Sequence, residues 1–315
     1  MRLWNKKDNA PNQALEGIVL ANPDKYTRLS SKYGYGLYRK NLPSNQVRII
    51  INGGGGYGPM WSGLADDNLA DAMVHGEFDS APNAYVLYEM AKEIDCGYGV
   101  LFLTNHFMGD YLNNDMAVEL LEHDGILARA CYISDDILSA KGEDKEQRGG
   151  LHGIGQICKI AANAAKKKLS LEEIYTLVEK ANERLRSVTV NIRNKNMFFG
   201  EGFSGEPAVM TMKYSTVAKM IEVADSILLK EMKEWNKDSF YISINVHCSV
   251  GHTESFIILN EAVTQLKQKG IEVHGCAVGT YFDVFKGSGC MISFLACDEE
   301  LQKYLFPVAG YNFTL

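Results

Sequence analysis

A chain of 315 residues, 46% hydrophobic and 23% charged, is too long for one small core and too apolar for disorder, which leaves one large or two medium globular domains. A formal net charge of -7, with no long Lys/Arg block, argues against direct contact with nucleic acid. Seven cysteines, never spaced as C-x-x-C, indicate neither a disulfide framework nor a zinc site, and no apolar run or leader pattern suggests a membrane span or export, so a cytoplasmic protein is expected.

In chain order, the apolar run Val47-Arg48-Ile49-Ile50-Ile51 predicts a buried strand over 47–52, followed at once by "GGGGYGPMWSG". Gly53, Gly55 and Gly58 satisfy the literal G-x-G-x-x-G pattern, and Glu77 stands at a tolerable distance for a ribose contact. A dinucleotide would need a docking helix directly after the glycines, however, and here Pro59, Trp61, Ser62 and Gly63 follow. A Walker A loop is excluded because no Gly-Lys-Ser/Thr ends the run. The readings rank as a tight strand-to-helix turn, then a cradle of bare backbone N–H groups for a small polar ligand, then a dinucleotide loop.

Further on, a helix is predicted over 83–93, a strand over 98–104, a helix over 113–123, a strand over 126–133 and helices over 153–167 and 170–186. The last has a capping box, Ser170 with Glu173, and an apolar stripe of Ile174, Leu177, Val178, Ala181 and Leu185. Residues 191–209 read as a loop. A second alternation follows: helix 215–234, strand 239–247, helix 254–269 and strands 271–278 and 291–297. The expected division is 1–186 for an N-terminal α/β domain carrying the glycine loop and 187–315 for a C-terminal α/β domain.

Among the histidines, His75, His123 and His274 read as surface or hydrogen-bonded structural residues. His152 reads as an exposed neighbour of a helix cap. His247 and His252, with Cys248, share one loop at irregular spacing, which favours a structural turn over a metal site. No metal or other cofactor is expected.

Several segments together resemble the substrate-binding subunit of dihydroxyacetone kinases, the DhaK family. They are "NQALEGIVLANPD" (12–24), "VRIIINGGGGYGPMWSGLADDNLADAMVHGEFDSAPN" (47–83), "GVLFLTNHFMGDYLN" (99–113), "GFSGEPA" (202–208) and "GIEVHGCAVGTYFDVFKGSG" (270–289). The resemblance spans nearly the whole chain and implies two α/β domains with mixed sheets. It also implies a glycine loop that cradles a three-carbon ketose while the nucleotide sits on a separate partner subunit. Carried over, Gly53, Gly54, Gly55, Gly56, Tyr57, Ser80, Asn105, Asp110 and Ser204 would bind substrate, with Asp110 accepting the substrate hydroxyl proton. A homodimer is implied as well.

The departures from the family pattern are chemical. The family's covalent histidine, before Gly-Glu-Pro, is Ser204 here, and a serine hydroxyl needs an activating base to add to a carbonyl. A family histidine in the glycine loop aligns with Tyr57 and its neighbouring glutamate with Gly58, while a ligand-contacting lysine aligns with Asn105. Losing a lysine and two imidazoles removes donors that meet charge in phosphoryl transfer. Trp61, Phe78 and Phe107 would make the pocket more apolar.

The leading expectation is therefore a small ketose- or polyol-binding paralogue that has lost the covalent chemistry and acts as a ligand-dependent coactivator of a transcription regulator. The alternatives are a dihydroxyacetone (glycerone) kinase subunit that works noncovalently with a nucleotide-carrying partner, and a ketose-converting enzyme using Asp110 and His106 as an acid/base pair.

Overall fold

The computed structural model describes residues 3–58, 60–140, 147–202, 205–235, 239–282 and 288–305. Its elements in chain order are α1 (Ala10–Ala21), β1 (Tyr26–Arg28), β2 (Tyr35–Arg39), β3 (Arg48–Gly55), α2 (Met60–Leu64), β4 (Ala72–Phe78), α3 (Ala84–Ile94), β5 (Val100–Asn105), α4 (Met108–His123), β6 (Ala128–Ile133), α5 (Ile154–Lys166) and α6 (Leu171–Glu183). There follow β7 (Leu185–Arg193), β8 (Asn196–Phe199), β9 (Met210–Lys213), α7 (Val217–Glu231), β10 (Ser239–Val246), α8 (His252–Gln268), β11 (Val273–Gly279), β12 (Ser288–Cys297) and α9 (Glu299–Leu305). The strands form two six-stranded sheets, so the protein is mixed α/β as expected.

Two compact units hold one sheet each: Met1–Tyr132 with Ile157–Glu179, and Ile133–Gln156 with Lys180–Leu315. The divisions thus follow Tyr132, Gln156 and Glu179, where the element pattern alone suggests one cut near 187. The reason lies in residues 133–156, which have little periodicity of their own. They join the second unit through main-chain pairing: Asp136 bridges Ser187, and the Ser187 N–H donates to the Asp135 carbonyl at 2.7 Å.

The first sheet runs β1-β2-β4-β3-β5-β6, with β3 parallel to both β4 and β5 and with β2 antiparallel to β4. Central parallel strands are covered on both faces, which explains the unbroken runs Ile49-Ile50-Ile51 and Leu101-Phe102-Leu103, all buried. One face packs Ile50, Val74 and Phe102 against Val86, Leu87 and Met90 of α3 and Ala117 and Leu121 of α4. Helix α3 starts where Asn83 Oδ1 accepts from the Tyr85 N–H at 2.8 Å.

The second sheet runs β11-β10-β12-β7-β8-β9, with only the β10–β11 pair of those recorded parallel. Even-numbered residues of β7, β10 and β12, such as Val188, Ile242 and Phe294, form one core with Ile221 and Leu228 of α7 and Ala262 and Leu266 of α8.

Two expectations fail locally. The helix that begins at Ser170 has its capping box, with Glu173 Oε2 accepting from the Ser170 N–H at 2.8 Å, but it stops at Glu183. Leu185 continues the helical stripe in spacing yet opens β7. The segment 191–209, read as a loop, contains the end of β7 and all of β8, joined by a two-residue turn in which Asn194 and Lys195 both have positive φ (50° and 61°). Among the described residues, no helix is long and apolar enough to cross a membrane.

Candidate functional site

Strand β3 lies between β4 and β5: it continues to β4 on one side, and β4 crosses over it to β5 on the other, and ligands of open α/β sheets bind at the carboxyl ends of strands around such a switch point. Here those ends are Gly53 to Gly55 on β3, His75 to Phe78 on β4 and Asn105 on β5. The glycine loop, Ser80, Asn105 and Asp110 all belong to this unit.

The glycine run is required by close packing. A Cβ on Gly55 would lie 2.4 Å from the Gly76 carbonyl oxygen, and Gly56 has φ 97° with the Phe78 ring 2.7 Å from where a Cβ would stand. Trp61 folds back over Gly53, and its Nε1 donates to the Gly54 carbonyl at 2.8 Å. The Gly55 carbonyl accepts from the Asp79 N–H at 3.0 Å, and the Tyr57 hydroxyl is bonded to the Asp79 carboxylate. Because only the five-residue α2 follows this turn, it lacks the docking helix of a dinucleotide loop.

The loop is brought up to Ser80, whose N–H is 3.5 Å from where a Gly54 Cβ would stand, so Gly54 keeps ordinary contact distance. The first turn of α4 closes on the same segment, with a Gly109 Cβ position 3.1 Å from the Ala81 Cβ. That turn carries Asp110. A reciprocal amide pair fixes it: Asn52 Nδ2 donates to Asn114 Oδ1 at 3.0 Å, Asn114 Nδ2 donates to Asn52 Oδ1 at 2.9 Å, and Asn114 Nδ2 also reaches the Asp110 carbonyl at 2.8 Å.

Among the described residues, several polar atoms at these ends are buried without a hydrogen-bond partner: both amide atoms of Asn105, Oδ1 of Asp110, Oγ1 of Thr104 and Nε2 of His75. Folded proteins satisfy the great majority of such groups, so a cluster of orphans makes this a candidate binding place. Asn105 is 2% exposed and Asp110 7%. Burial pushes the Asp110 carboxyl up to about 7, against the opposing pull of its own backbone N–H. Burial also holds the His75 imidazole below its ordinary value, so the ring is neutral. Its Nδ1 lies 2.7 Å from the Gly76 carbonyl and must donate there, which leaves Nε2 an acceptor.

His106 stacks on Tyr111 with ring centroids 5.3 Å apart and faces Tyr132 at 6.3 Å. Phe78 packs under Trp4, with Lys7 Nζ 4.5 Å from its ring centroid, and Phe107 precedes α4 as its N-cap. Ser204 lies outside the described residues. His152 is buried rather than exposed: Nε2 is 3.1 Å from the Ser243 carbonyl and Nδ1 is 3.2 Å from Ser293 Oγ. His247 is buried too, whereas the side chain of His123 is 88% exposed. All seven cysteines are free thiols, and no group of three or more His, Cys, Asp or Glu among the described residues could hold a metal ion.

Asn52, Asn114 and Thr104 are the residues that sequence reasoning passed over, while His75, read as surface or hydrogen-bonded, is buried and bonded through Nδ1 only. Asn52 had a signal, an amide directly after three isoleucines of a buried strand, and Asn114 another, four residues after Asp110 on one helix face.

Fold and strand-end cluster together define a class: two-sheet α/β proteins with a small polar site at the switch point of the first sheet. The Dak1 domain family matches residues 16–309, and the chain belongs to that family. A dihydroxyacetone-binding subunit DhaK of the PTS-dependent dihydroxyacetone kinase 2 of Listeria innocua is 30% identical over 96% of both chains. The L-erythrulose 1-kinase of Mycolicibacterium smegmatis is 26% identical over 96% of this chain, which spans 56% of that longer protein. The solved dihydroxyacetone kinase operon co-activator Dha-DhaQ superposes with a TM-score of 0.85 at 22% identity, covering 93% of this chain and 95% of that one.

Proposed function

We propose that the chain is a binding subunit for a small uncharged ketose or polyol held at the carboxyl ends of β3, β4 and β5, and that it acts through a partner protein as a ligand-dependent coactivator. The observation that carries the binding reading is the orphan cluster of Asn105, Asp110 and His75, which supplies one amide donor and several acceptors. Such a set suits hydroxyl and carbonyl groups better than phosphate, which calls for cations. The printed names of the relatives, a dihydroxyacetone-binding subunit and an erythrulose kinase, agree with short ketoses. The regulatory half rests on the neutral amide of Asn105, where the family resemblance calls for lysine, and on the hydroxyl of Ser204, where it calls for histidine.

One observation favours a second reading, a substrate-binding subunit for phosphoryl transfer. A carboxyl at about 7 is matched to taking a proton from a substrate hydroxyl near neutral pH. Either role is proposed for a cytoplasmic homodimer, and sedimentation at twice the 35.0 kDa chain mass checks the assembly.

The test is calorimetric titration with dihydroxyacetone and L-erythrulose, followed by reconstitution with a nucleotide-loaded partner subunit and its phosphoryl donor. Expected are saturable binding, weakened about tenfold or more by Asp110→Asn, and no phosphorylation. Asp110-dependent turnover would establish the second reading in place of the first. If neither ketose binds, the ligand assignment falls.

A further inference from the structure

We propose that the second sheet carries its own binding site for a small uncharged polyol, on the face opposite its α7 and α8 core. Along β7, β10 and β12 the even-numbered residues build that core, so the odd-numbered residues share the other face. Register aligns them in three rows: Ser243, Ser293 and Ser187; Asn245, Met291 and Thr189; then His247, Gly289 and Asn191, the last joined by the His247 N–H to the Gly289 carbonyl at 3.1 Å. Every one of these polar side chains is buried.

In the first row Ser187 and Ser293 are satisfied. Ser187 and Ser293 bond each other, Ser187 bonds Asp135, and Ser293 meets His152. In the second, Asn245 Oδ1 accepts from the Tyr281 and Phe282 N–H groups at 2.6 and 2.7 Å. Among the described residues the other end of the face is not satisfied: Thr189 Oγ1, Asn191 Oδ1 and both ring nitrogens of His247 have no partner. His247 and Thr189 are fully buried and Asn191 is 1% exposed.

This set carries no charge. Burial pushes His247 down to about 4, so near neutral pH its ring offers one donor and one acceptor. Thr189 offers both, and Asn191 offers an acceptor because its Nδ2 is held by Glu201, whose carboxylate is paired with Arg193. Mixed donors and acceptors without charge are complementary to hydroxyl groups.

Spacing selects more than one water. β10 and β7 lie two strand spacings apart, about 9.5 Å, while a single water joins polar atoms only about 5.6 Å apart. A short chain of hydroxylated carbons can reach from His247 to Asn191 across Gly289, which puts no side chain between them, and then along β7 to Thr189 beside Met291.

The probe is erythritol, titrated into the full-length protein while the imidazole 15N resonances of His247 are followed. They are expected to move saturably, with Thr189→Val weakening the response about tenfold and Thr189→Ser retaining it. Asp110→Asn is expected to leave this titration unchanged, which separates it from the candidate site on the first sheet. Resonances that stay put in the wild-type protein would overturn the proposal whether or not the valine variant folds. So would a crystal grown in erythritol that shows only water against Thr189, Asn191 and His247.

Discussion

Asp110 exists in two protonation states that the fold treats unequally. Its carboxyl ionises near 3.8 in the unfolded chain and at about 7 in the folded one, because burial penalises the charge. Between those values the folded chain holds the extra proton, so this residue's contribution is fully present below the lower value and is lost as pH rises to the upper one, by about 1.4 kcal/mol per pH unit. Asn has the same shape and no charge to bury. Asp110→Asn is therefore expected to melt with the wild type at pH 4 and above it at pH 8, by on the order of 10 °C at roughly 2–4 °C per kcal/mol. Thermal melts at the two pH values check this. A variant that melts lower at pH 8 would mean that Asp110 stabilises the fold instead of costing it stability, which is the reverse of a residue retained for function.

At the scale of elements, the candidate site depends on how α4 is tied to β3. Asn52 and Asn114 satisfy each other while both are fully buried. Asn114→Ala should cost about 1–3 kcal/mol by leaving the Asn52 amide orphaned, and should weaken ketose binding because Asn114 also holds the Asp110 carbonyl. Asn52→Leu with Asn114→Leu should recover part of the stability but not the binding. Denaturant midpoints and calorimetry together separate those outcomes, and recovery of both would remove the amide pair from any positioning role. How much of this the sequence announces depends on periodicity. β3, β5, α3 and α7 were legible because apolar runs or stripes continue for at least two turns or five residues. The strand β7 was hidden by Leu185, which satisfies a helical stripe from Ala181 as well as it opens a strand. Its hairpin partner β8 was hidden because the turn is Asn194-Lys195, and lysine at the second left-handed position masks the usual Asn-Gly signature. The glycine loop and Asp110 were visible as motifs. Asn52 and Asn114 left signals one at a time, but their pairing did not, since a contact across 62 residues leaves no local trace.

Taken as a whole, the chain places its candidate ketose site on central strands rather than edges. A ligand there touches the ends of strands that are buried on both faces, while β1 closes the sheet as a three-residue edge strand. Rigid strands flanking a short glycine loop should leave the loop as the segment that opens locally, and amides that exchange through local opening respond directly to occupancy. At a ligand concentration of 100 times Kd, binding adds about 2.7 kcal/mol to any opening that abolishes the site, equivalent to slowing by about a hundredfold. Dihydroxyacetone is therefore expected to slow exchange at Gly54 to Gly58 and from Asn105 to Asp110 by up to that factor, with little change at Tyr26 to Arg28, where opening leaves the site intact. Hydrogen exchange with and without ligand reads this residue by residue. Equal slowing at β1 and at the loop would mean that the ligand acts on global unfolding alone, and a loop that does not respond would place the ketose elsewhere.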